Sequence, residues 1–348
     1  MNFQGCYTAI VTPMKGKDAG AADFRALEQL VEFQIASGVS GILAVGTTGE
    51  SPTLDWEEHS QVIMKVKEFS KDRCAVIGGT GSNSTQEALH STRRVAKSKI
   101  DAVLLVDPYY NGPSSVEIRR EYVAPLAEAF PEVEVIPYVI PGRTGTKLLP
   151  EDLAILHEQY DNVNAVKEAT GDFDNMRRTR ECCGESMNIL SGDDDKTHPM
   201  MTDEAIGAGG VVSVISNVAP AAVQQMTREI LDGNLDEGRR LYEALKPLFG
   251  IVTVKTEEDS PFGPRLCKAR NPLPIKTLMR VLGMPVGGVR RPLGKMTRNG
   301  LKTVLDAARA VWKKNPEILE PVGKAFDVDV EQRLFDPKFS KDLAYEEA

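Results

Sequence analysis

Lys167 follows directly after the short apolar run 163–166. A lysine at the end of a buried strand loses part of its hydration, which lowers its pKa and leaves more neutral amine to attack a carbonyl group. For efficient work near neutral pH the pKa would have to fall from about 10.4 to about 7–8. A structural salt bridge explains such a lysine as well as Schiff-base chemistry does, so its position alone leaves both interpretations open.

A tyrosine and an arginine belong to the preceding apolar run and its loop. Tyr138 stands near the end of that run, and Arg143 lies in the segment 140–145, which contains two glycines. A phenol close to an imine carbon can pass protons, and a guanidinium can hold a carboxylate. The alternatives are a core tyrosine with a satisfied hydroxyl and a solvated arginine.

Polar residues also follow the second and fourth apolar runs. Thr47 and Thr48 stand between two glycines, where a tight turn would expose backbone N–H groups beside two hydroxyls and so suit a carboxylate. An ordinary glycine-rich turn is the alternative. Tyr109 and Tyr110 place two phenols at the same rim, although paired loop tyrosines commonly serve packing.

Glycines mark the last two apolar runs. Gly192 lies in the segment 191–194 after the seventh run, and Val212 follows a glycine pair in the eighth. Glycines let a ligand approach the backbone closely. The segment 78–81 is also rich in glycine, but it lacks the spacing and the acidic partner of a dinucleotide-binding loop.

The first two thirds of the chain alternate apolar, β-branched runs with amphipathic helical segments. The predicted strands begin near Thr8, Gly41, Cys74, Ala102, Val133, Val163, Ile189 and Gly210. Eight such units predict an α/β fold, a (β/α)8 TIM barrel, whose active site lies at the carboxyl ends of the strands. We predict a catalytic barrel over 1–218, a C-terminal helical region over 219–314, and an extension of unknown role over 315–348 that docks on the barrel or on another subunit.

Composition limits the function classes. The 348 residues include 42 Lys and Arg against 50 Asp and Glu, a net charge of −8, so the chain makes a poor nucleic-acid binder. Its one basic cluster, at positions 290, 291, 295 and 298, is interpreted as a solvated surface. No run approaches the roughly 18 apolar residues of a membrane span, and no secretory leader stands at the start, so we expect neither membrane association nor export.

The cysteines and histidines predict a cytoplasmic protein without a bound metal. Five cysteines form an odd set in which no pair has the spacing of metal or redox motifs. The four histidines are scattered without ligand spacing, which argues against a zinc site.

Taken in order, these segments resemble the dihydrodipicolinate synthase and N-acetylneuraminate lyase family of pyruvate-dependent class I aldolases. The resemblance runs from about Gly5 to about Lys313. It rests on the motifs at 12–13, 46–50, 108–111, 138, 143–145, 167–169 and 191–194. It implies a lyase that needs no metal or organic cofactor and works through a covalent pyruvate imine on a lysine.

The resemblance implies four catalytic residues. Lys167 would form the Schiff base with the keto carbon of pyruvate, and Tyr138 would carry protons to and from that intermediate. Thr48 is similar to a relay hydroxyl that joins Tyr138 to Tyr110, which would reach in from a neighbouring subunit.

The substrate-binding residues follow from the same resemblance. Thr47 and Thr48 would hold the pyruvate carboxylate, and Arg143 would receive the carboxylate of the second substrate. Val212 stands where the family has an aliphatic residue whose carbonyl lies beside the imine, and Gly192 would let the ligand approach the backbone.

The resemblance to the synthases implies condensation of pyruvate with L-aspartate 4-semialdehyde in diaminopimelate and lysine biosynthesis. Arg143 favours this reaction, since the sugar-acid lyases of the family typically lack that arginine. One alternative is a sister aldolase or lyase that acts on a 2-keto-3-deoxy sugar acid or on N-acetylneuraminate. The other is a non-catalytic barrel that binds pyruvate-like ligands.

Two expectations about partners come from the same source. Six positions match the family's L-lysine feedback site, namely Ser51, Trp56, His59, Asn83, Glu87 and Tyr109. The structural alternative is that Asn83 and Glu87 only cap a helix. If Tyr110 completes a neighbour's relay, the chain works at least as a dimer, and the family suggests a homotetramer built as a dimer of dimers.

Overall fold

The structure is a computed structural model that describes residues 2–346. Its centre is a closed barrel of eight parallel strands that neighbour one another in chain order. The strands are β1 (Gly5–Ala9), β2 (Gly41–Ala44), β3 (Ala75–Gly79), β4 (Ala102–Val106), β5 (Glu134–Val139), β6 (Ala165–Glu168), β7 (Asn188–Ser191) and β8 (Gly210–Ser213). The predicted TIM barrel is confirmed.

Helices cover the barrel and continue after its last strand. Before β8 they are α1 (Phe24–Ala36), α2 (Trp56–Ser70), α3 (Thr85–Ala96), α4 (Ser115–Glu117), α5 (Ala124–Ala129), α6 (Pro141–Thr144), α7 (Pro150–Gln159), α8 (Phe173–Cys183) and α9 (Thr197–Thr202). After β8 they are α10 (Pro220–Leu231), α11 (Leu235–Phe249), α12 (Leu273–Val281), α13 (Arg298–Lys314), α14 (Glu320–Phe326) and α15 (Val330–Phe335). Over residues 2–346 no helix has both the length and the apolar character needed to span a bilayer.

The strands form where the apolar runs are continuous. All residues of β1, β2, β5, β6 and β8 are buried, because a parallel barrel strand packs on the interior on one side and on helices on the other. Seven strands begin within two residues of the predicted positions. The first begins at Gly5, three residues before the predicted Thr8.

Side-chain caps fix where several barrel helices begin. Asp23 accepts hydrogen bonds from the backbone N–H groups at the start of α1, and Asp55 does the same for α2. Ser84 accepts from the N–H of Glu87 in α3, and Asp172 caps α8. Each cap holds the loop that follows the preceding strand, so the caps help to shape the carboxyl-terminal rim of the barrel.

The helix α10 packs against the barrel itself. The side chain of Gln224 on this helix accepts a hydrogen bond of 2.8 Å from the N–H of Cys6 in β1. α10 therefore lies in the place of the eighth barrel helix, and the predicted division after residue 218 falls between β8 and this helix. That division stays a prediction.

A β-hairpin interrupts the region that the sequence predicted as purely helical. The strands β9 (Thr253–Glu258) and β10 (Arg265–Arg270) pair antiparallel between α11 and α12. The prediction was wrong here because the hairpin rests on the protein with one face only, so charged residues interrupt the apolar pattern of both strands.

The C-terminal extension docks on its own chain. Ile318, Leu319, Val322 and Leu334 are all buried in the main hydrophobic core. The Arg333 side chain donates hydrogen bonds to the carbonyl groups of Arg280 and Val281, at the end of α12. The extension therefore supports the helical region.

A buried ion pair joins the barrel to the helices after it. The Lys276 ammonium group on α12 lies 2.6 Å from a carboxylate oxygen of Glu50, and both side chains are almost completely buried. Lys276 also donates to the carbonyl groups of Thr12 and Gly288, and the other Glu50 oxygen accepts from the N–H of Arg290. The charges are thus paired and hydrogen-bonded, as buried charges must be.

The basic cluster near position 290 is partly structural. The Arg290 guanidinium makes two hydrogen bonds to the Glu58 carboxylate on α2, and both side chains are mostly buried. The interpretation of this arginine as solvated was wrong, because the spacing of the cluster carries no information about an acidic partner more than 200 residues away.

We expect Lys276→Met to lower the free energy of unfolding by about 3 kcal/mol, because the variant leaves the Glu50 carboxylate buried without its cation. Lys302→Met is the matched control, since Lys302 pairs with Asp306 on the exposed face of α13 and such pairs contribute less than about 1 kcal/mol. Chemical denaturation followed by circular dichroism measures both. Equal, small losses in the two variants would contradict the structural importance of the buried pair.

Candidate active site

A cavity of about 180 Å³ opens at the carboxyl ends of the strands. It collects side chains from β5, β6, the loops after β2 and β7, and the segment between β10 and α12. The lining residues are Thr47, Thr48, Tyr138, Ile140, Gly142, Arg143, Lys167, Ala169, Gly192, Asp193, Val214, Val252, Thr253, Arg270 and Asn271. Six of the predicted substrate or catalytic residues therefore face one space, with Arg143 and Gly192 among them.

Lys167 lies on β6 and is 5% exposed. Burial lowers its pKa to about 8, while the negative charges of Asp193 and Asp194 act in the opposite direction. Among residues 2–346 no carboxylate lies within ion-pair distance of its ammonium group. The salt-bridge interpretation that the sequence left open therefore has no partner in the described chain, and the amine is available to attack a carbonyl group.

Tyr138 lies beside Lys167 because β5 and β6 pair in register at these two residues. The Lys167 nitrogen stands 4.1 Å from the centre of the Tyr138 ring. Burial raises the pKa of the phenol, and the positive charge of Arg143 partly offsets that effect. The phenol is thus protonated at neutral pH and can act as a proton donor next to the amine.

The two threonines of the β2 loop have different partners. They lie in a short helical turn, Thr47–Gly49, whose successive side chains leave in different directions. Thr47 lines the cavity with Tyr138, whereas the Thr48 hydroxyl accepts a hydrogen bond of 2.9 Å from the side-chain amide of Asn271. Because the Thr48 hydroxyl is engaged with Asn271, Thr47 is a second candidate for the relay, and the relay assignment stays a prediction.

Arg143 lies on the short helix α6 at the mouth of the cavity. Its guanidinium donates a hydrogen bond of 3.1 Å to the carbonyl of Asn271. The Arg270 guanidinium donates in return to the carbonyl of Gly142, also at 3.1 Å. These two bonds hold the β5 loop against the segment that enters α12, and both arginines line the cavity.

Gly192 leaves the space beside Lys167 open. A Cβ atom at this position would lie 2.7 Å from the Ala169 Cβ and 3.2 Å from the Lys167 Cε. Any larger residue would therefore crowd the reactive amine. Val212 is 1% exposed and belongs to the apolar packing inside the barrel, with Tyr138 and Leu190, and it does not line the cavity.

Tyr110 does not reach the cavity of its own chain. Its side chain is 94% exposed and its backbone has a φ of 75°, a conformation that few residues other than glycine adopt without strain. Tyr109 is better anchored, since its N–H donates to the Asn83 side chain at 2.7 Å. The two neighbouring phenols therefore have different environments, and Tyr110 points its apolar surface to solvent.

The positions predicted as regulatory divide into two groups. Ser51 and Tyr109 line a second cavity of about 230 Å³, which shares Thr47, Tyr138 and Arg143 with the first. The remaining four, Trp56, His59, Asn83 and Glu87, do not line it. Trp56 and His59 stack with ring centres 4.9 Å apart, and burial lowers the pKa of His59 to about 4.

Three residues of the site had no predicted role. Asp193 lies in the predicted segment 191–194, whereas Arg270 and Asn271 lie outside every predicted motif. Asn271 precedes a proline at the start of a helix, and this pattern predicts only a helix boundary. Only the fold brings it against Thr48, more than 200 residues away.

Metal ligands are not grouped in the described part of the chain. Between residues 2 and 346 no cluster of three or more His, Cys, Asp or Glu side chains has a geometry suited to a metal ion. The polar groups of the cavity are instead an amine, a phenol, hydroxyls and guanidinium groups, which suit a substrate with a carboxylate and a carbonyl group.

A TIM barrel whose sixth strand carries a buried lysine beside a tyrosine fits one class of protein, the lyases of the class I aldolase type that use Schiff-base chemistry. The comparison with protein families is more specific. The chain belongs to the Dihydrodipicolinate synthetase family, whose profile matches residues 2–311. The resemblance inferred from the ordered motifs is confirmed.

Individual relatives match over nearly their whole length. The 4-hydroxy-tetrahydrodipicolinate synthase of Trichlorobacter lovleyi is 41% identical over 311 residues, which are 89% of this chain and 99% of the relative. The crystal structure of dihydrodipicolinate synthase from Aquifex aeolicus has a TM-score of 0.80 at 36% identity and covers 91% of this chain and 100% of its own. A lysine-bound structure of the enzyme from Cyanidioschyzon merolae has a TM-score of 0.80 at 34% identity, covering 89% and 98%.

The Lys167 pKa of about 8 makes a pH prediction. Only the neutral amine attacks a carbonyl group, so the rate at which cyanoborohydride traps pyruvate on Lys167 should rise with pH and level off above about pH 8. Asp193→Asn removes a negative charge that favours the ammonium form, so it should move the inflection to lower pH. Labelling followed by mass spectrometry measures the rate.

Asp195→Asn provides the control for that experiment. Asp195 lies in the same loop but is exposed and pairs with Lys196, so the inflection should stay where it is in the parent chain. An inflection near pH 10 in the parent would show that burial does not lower the Lys167 pKa.

Proposed function

We propose that the chain is a 4-hydroxy-tetrahydrodipicolinate synthase, a lyase that condenses pyruvate with L-aspartate 4-semialdehyde in diaminopimelate and lysine biosynthesis. The observation that carries the proposal is the buried Lys167 amine, 4.1 Å from the centre of the Tyr138 ring and without an ion-pair partner among residues 2–346. Family membership and relatives of that name over nearly the whole chain support the same activity.

The first step is addition of the Lys167 nitrogen to the keto carbon of pyruvate. The carbinolamine that results loses water and gives an iminium ion, with Tyr138 as the group that delivers the proton to the departing hydroxyl. The Thr47–Gly49 turn receives the pyruvate carboxylate, since the first N–H groups of a helical turn have no intrahelical acceptor. Lys167 needs no organic cofactor for this step, because the covalent imine itself withdraws electrons from the methyl carbon.

The second step forms the carbon–carbon bond. The Tyr138 phenolate left by the first step takes a methyl proton from the iminium ion and gives an enamine, whose carbon adds to the aldehyde of L-aspartate 4-semialdehyde. The aldehyde oxygen becomes the 4-hydroxyl group by taking up a proton from Tyr138. The amino group of the second substrate then displaces Lys167, closes the ring and returns the lysine as a free amine.

Thr47 takes the relay role in this scheme. It lines the same cavity as the Tyr138 phenol within the chain, so a proton would pass from the phenol to the hydroxyl and onward to the rim. Thr48 acts on the site through its hydrogen bond with Asn271, which fixes the turn. Arg143 is the residue that would hold the carboxylate of the aldehyde substrate, because its guanidinium lies at the mouth of the cavity.

The exposed Tyr110 supports assembly into an oligomer. A phenol that is 94% exposed on a strained backbone gains stability when a second copy covers it, and it could then extend the proton relay of the neighbour. We propose a homotetramer in which pairs of subunits exchange this residue. One solved relative is described as a monomeric variant, so assembly is not fixed by the fold.

L-lysine is proposed as an effector that binds near Ser51 and Tyr109. Both residues line the cavity beside Thr47 and Tyr138, and a relative from Cyanidioschyzon merolae is described with lysine bound. The Glu87 carboxylate accepts a hydrogen bond from the Ser82 hydroxyl, and the Glu87 N–H donates to the Ser84 side chain that caps α3. Titration of the initial rate with L-lysine decides whether inhibition occurs.

A cytoplasmic location remains a prediction. All five cysteines are free thiols in the structure, which fits a reducing compartment.

Pyruvate followed by borohydride should add one reduced pyruvyl group to Lys167, and Lys167→Ala should abolish both this label and the condensation. L-aspartate 4-semialdehyde should be turned over far better than a 2-keto-3-deoxy sugar acid or N-acetylneuraminate, because Arg143 provides a carboxylate site for the aldehyde half, which is uncharged in the sugar acids. Peptide mass spectrometry and a coupled rate assay measure the two results. Labelling without semialdehyde turnover would favour the sister lyases, and no labelling would favour a non-catalytic barrel.

Tyr110→Phe should lower kcat by about tenfold to a hundredfold, the range expected for loss of one proton-transfer group, while borohydride labelling of Lys167 persists. Tyr109→Phe is the neighbouring control and should change kcat little. Gel filtration combined with activity measurement of the eluted fractions checks the assembly. A fully active monomer would contradict a role for Tyr110 across subunits.

A further inference from the structure

The β9–β10 hairpin has one packed face and one free face. On the packed face, Val254 is buried and the side chain of Asn299 on α13 donates to the Glu258 carboxylate. The register of six residue pairs fixes which residues lie opposite on the free face, namely Thr253, Lys255, Glu257, Leu266, Lys268 and Arg270. The free face begins at the active-site cavity, because Thr253 and Arg270 both line it.

Three cations lie on the free face, where their mutual repulsion destabilises the hairpin. Lys255 and Lys268 are directly opposite each other in the ladder, a pairing of like charges that destabilises a hairpin. Arg270 follows on the same face, two residues further along β10. In the described part of the chain none of these three cations has a salt-bridge partner. An unpaired cationic surface of this kind suits an anionic ligand.

Arg270 also extends the carboxylate site of Arg143. The Arg143 guanidinium donates to the carbonyl of Asn271, the residue after Arg270, and the Arg270 guanidinium donates to the carbonyl of Gly142, the residue before Arg143. These two hydrogen bonds hold the arginines side by side. Partial desolvation and the neighbouring Arg270 charge lower the pKa of Arg143. Lys268 lies directly opposite Lys255 and two residues before Arg270 on the same face. Partial desolvation and the charges of Arg270, Lys255 and Arg143 lower its pKa.

Asp193 is the acidic group that faces this cluster from the barrel. Its charge acts on Arg143, but it also acts on Lys167 deeper in the cavity. One partly buried carboxylate therefore faces both the reactive amine and the arginines, and positive charge remains in excess at the mouth. A carboxylate-bearing substrate would supply the missing negative charge.

We propose that Arg270 is a second carboxylate-binding residue, so that the aldehyde substrate is held by its carboxylate between Arg143 and Arg270. Lys255 and Lys268 continue the subsite outward and attract the anion to the mouth of the cavity. The proposal rests on the proposed function, since it assigns the recognition of the second substrate. It implies that the site selects aldehydes with a carboxylate over uncharged aldehydes.

The test compares Arg270→Gln with Arg265→Gln. Arg265 lies on the same strand as Arg270, but at the other end and on the opposite face. Its variant therefore removes the same charge at a position distant from Arg143. At saturating pyruvate, Arg270→Gln should raise KM for L-aspartate 4-semialdehyde about tenfold, as expected for one lost charge-assisted hydrogen bond, with kcat and KM for pyruvate nearly unchanged. Arg265→Gln should change none of these constants.

Steering has its own readout. The double variant Lys255→Gln/Lys268→Gln should show a shallower fall of kcat/KM for the semialdehyde with rising salt concentration than the parent shows.

The Arg270→Gln variant also tests a purely structural role. If Arg270 only tied the hairpin to α6, its loss would lower thermal stability or kcat instead of raising KM for one substrate. That result would overturn the subsite.

Binding of succinate to the borohydride-reduced pyruvyl enzyme gives a readout that needs no turnover. Calorimetry should show a dissociation constant about tenfold higher in Arg270→Gln than in the parent and in Arg265→Gln. A parent that binds succinate in this way but does not turn over the semialdehyde would contradict the proposed function and leave the subsite intact. Equal binding in all three proteins, or no binding to the parent, would overturn the subsite.

Discussion

The geometry of the site depends on the buried ion pair between Lys276 and Glu50. Glu50 ends the turn that carries Thr47 and Thr48, and its backbone adopts the left-handed conformation there. Its carboxylate binds Lys276 on α12 and the N–H of Arg290, while Lys276 also binds the carbonyl of Thr12. Three segments that are distant in the sequence are thus held at one point below the cavity. The hydrogen bond from Asn271 to Thr48 adds a second link between the same turn and the start of α12.

The chain buries two lysines, and their surroundings give them different roles. Burial lowers the pKa of both, but Lys276 is surrounded by one carboxylate and two carbonyl oxygens within hydrogen-bonding distance. Lys167 has an aromatic ring beside it and carboxylates only at longer range. The ammonium form of Lys276 is therefore held in place, whereas the neutral form of Lys167 is accessible near pH 8. A sequence pattern of a lysine among apolar residues describes both equally well, and only the partners distinguish the structural lysine from the reactive one.

The parts of the fold that could be predicted are those set by local patterns. Continuous apolar runs located all eight barrel strands. The position of Lys167 at the end of one run made it a candidate, and the resemblance of the ordered motifs to a known family gave it the Schiff-base role. Contacts across the fold could not be predicted in this way. The β2 turn has two adjacent threonines, and the choice between Thr47 and Thr48 as the neighbour of Tyr138 depends on a turn geometry that the sequence does not show. The hairpin and the buried position of Arg290 could not be predicted for a similar reason. Their charged residues are bound by partners that are distant in the sequence.

The charges of the cavity act differently on each stage of the proposed reaction. The chain carries a net charge of −8 and the proposed substrates are carboxylates, so the overall field does not attract them. Local cations at the mouth, Arg143 among them, offset that field. Deeper in the cavity, burial destabilises the ammonium form of Lys167. The negative charge of Asp193 has the opposite effect, since it stabilises a positive charge on the Lys167 nitrogen. Because the iminium ion carries its positive charge there, Asp193 stabilises the intermediate, while burial keeps the free amine reactive. The two opposing effects on the Lys167 pKa thus support successive steps of one reaction.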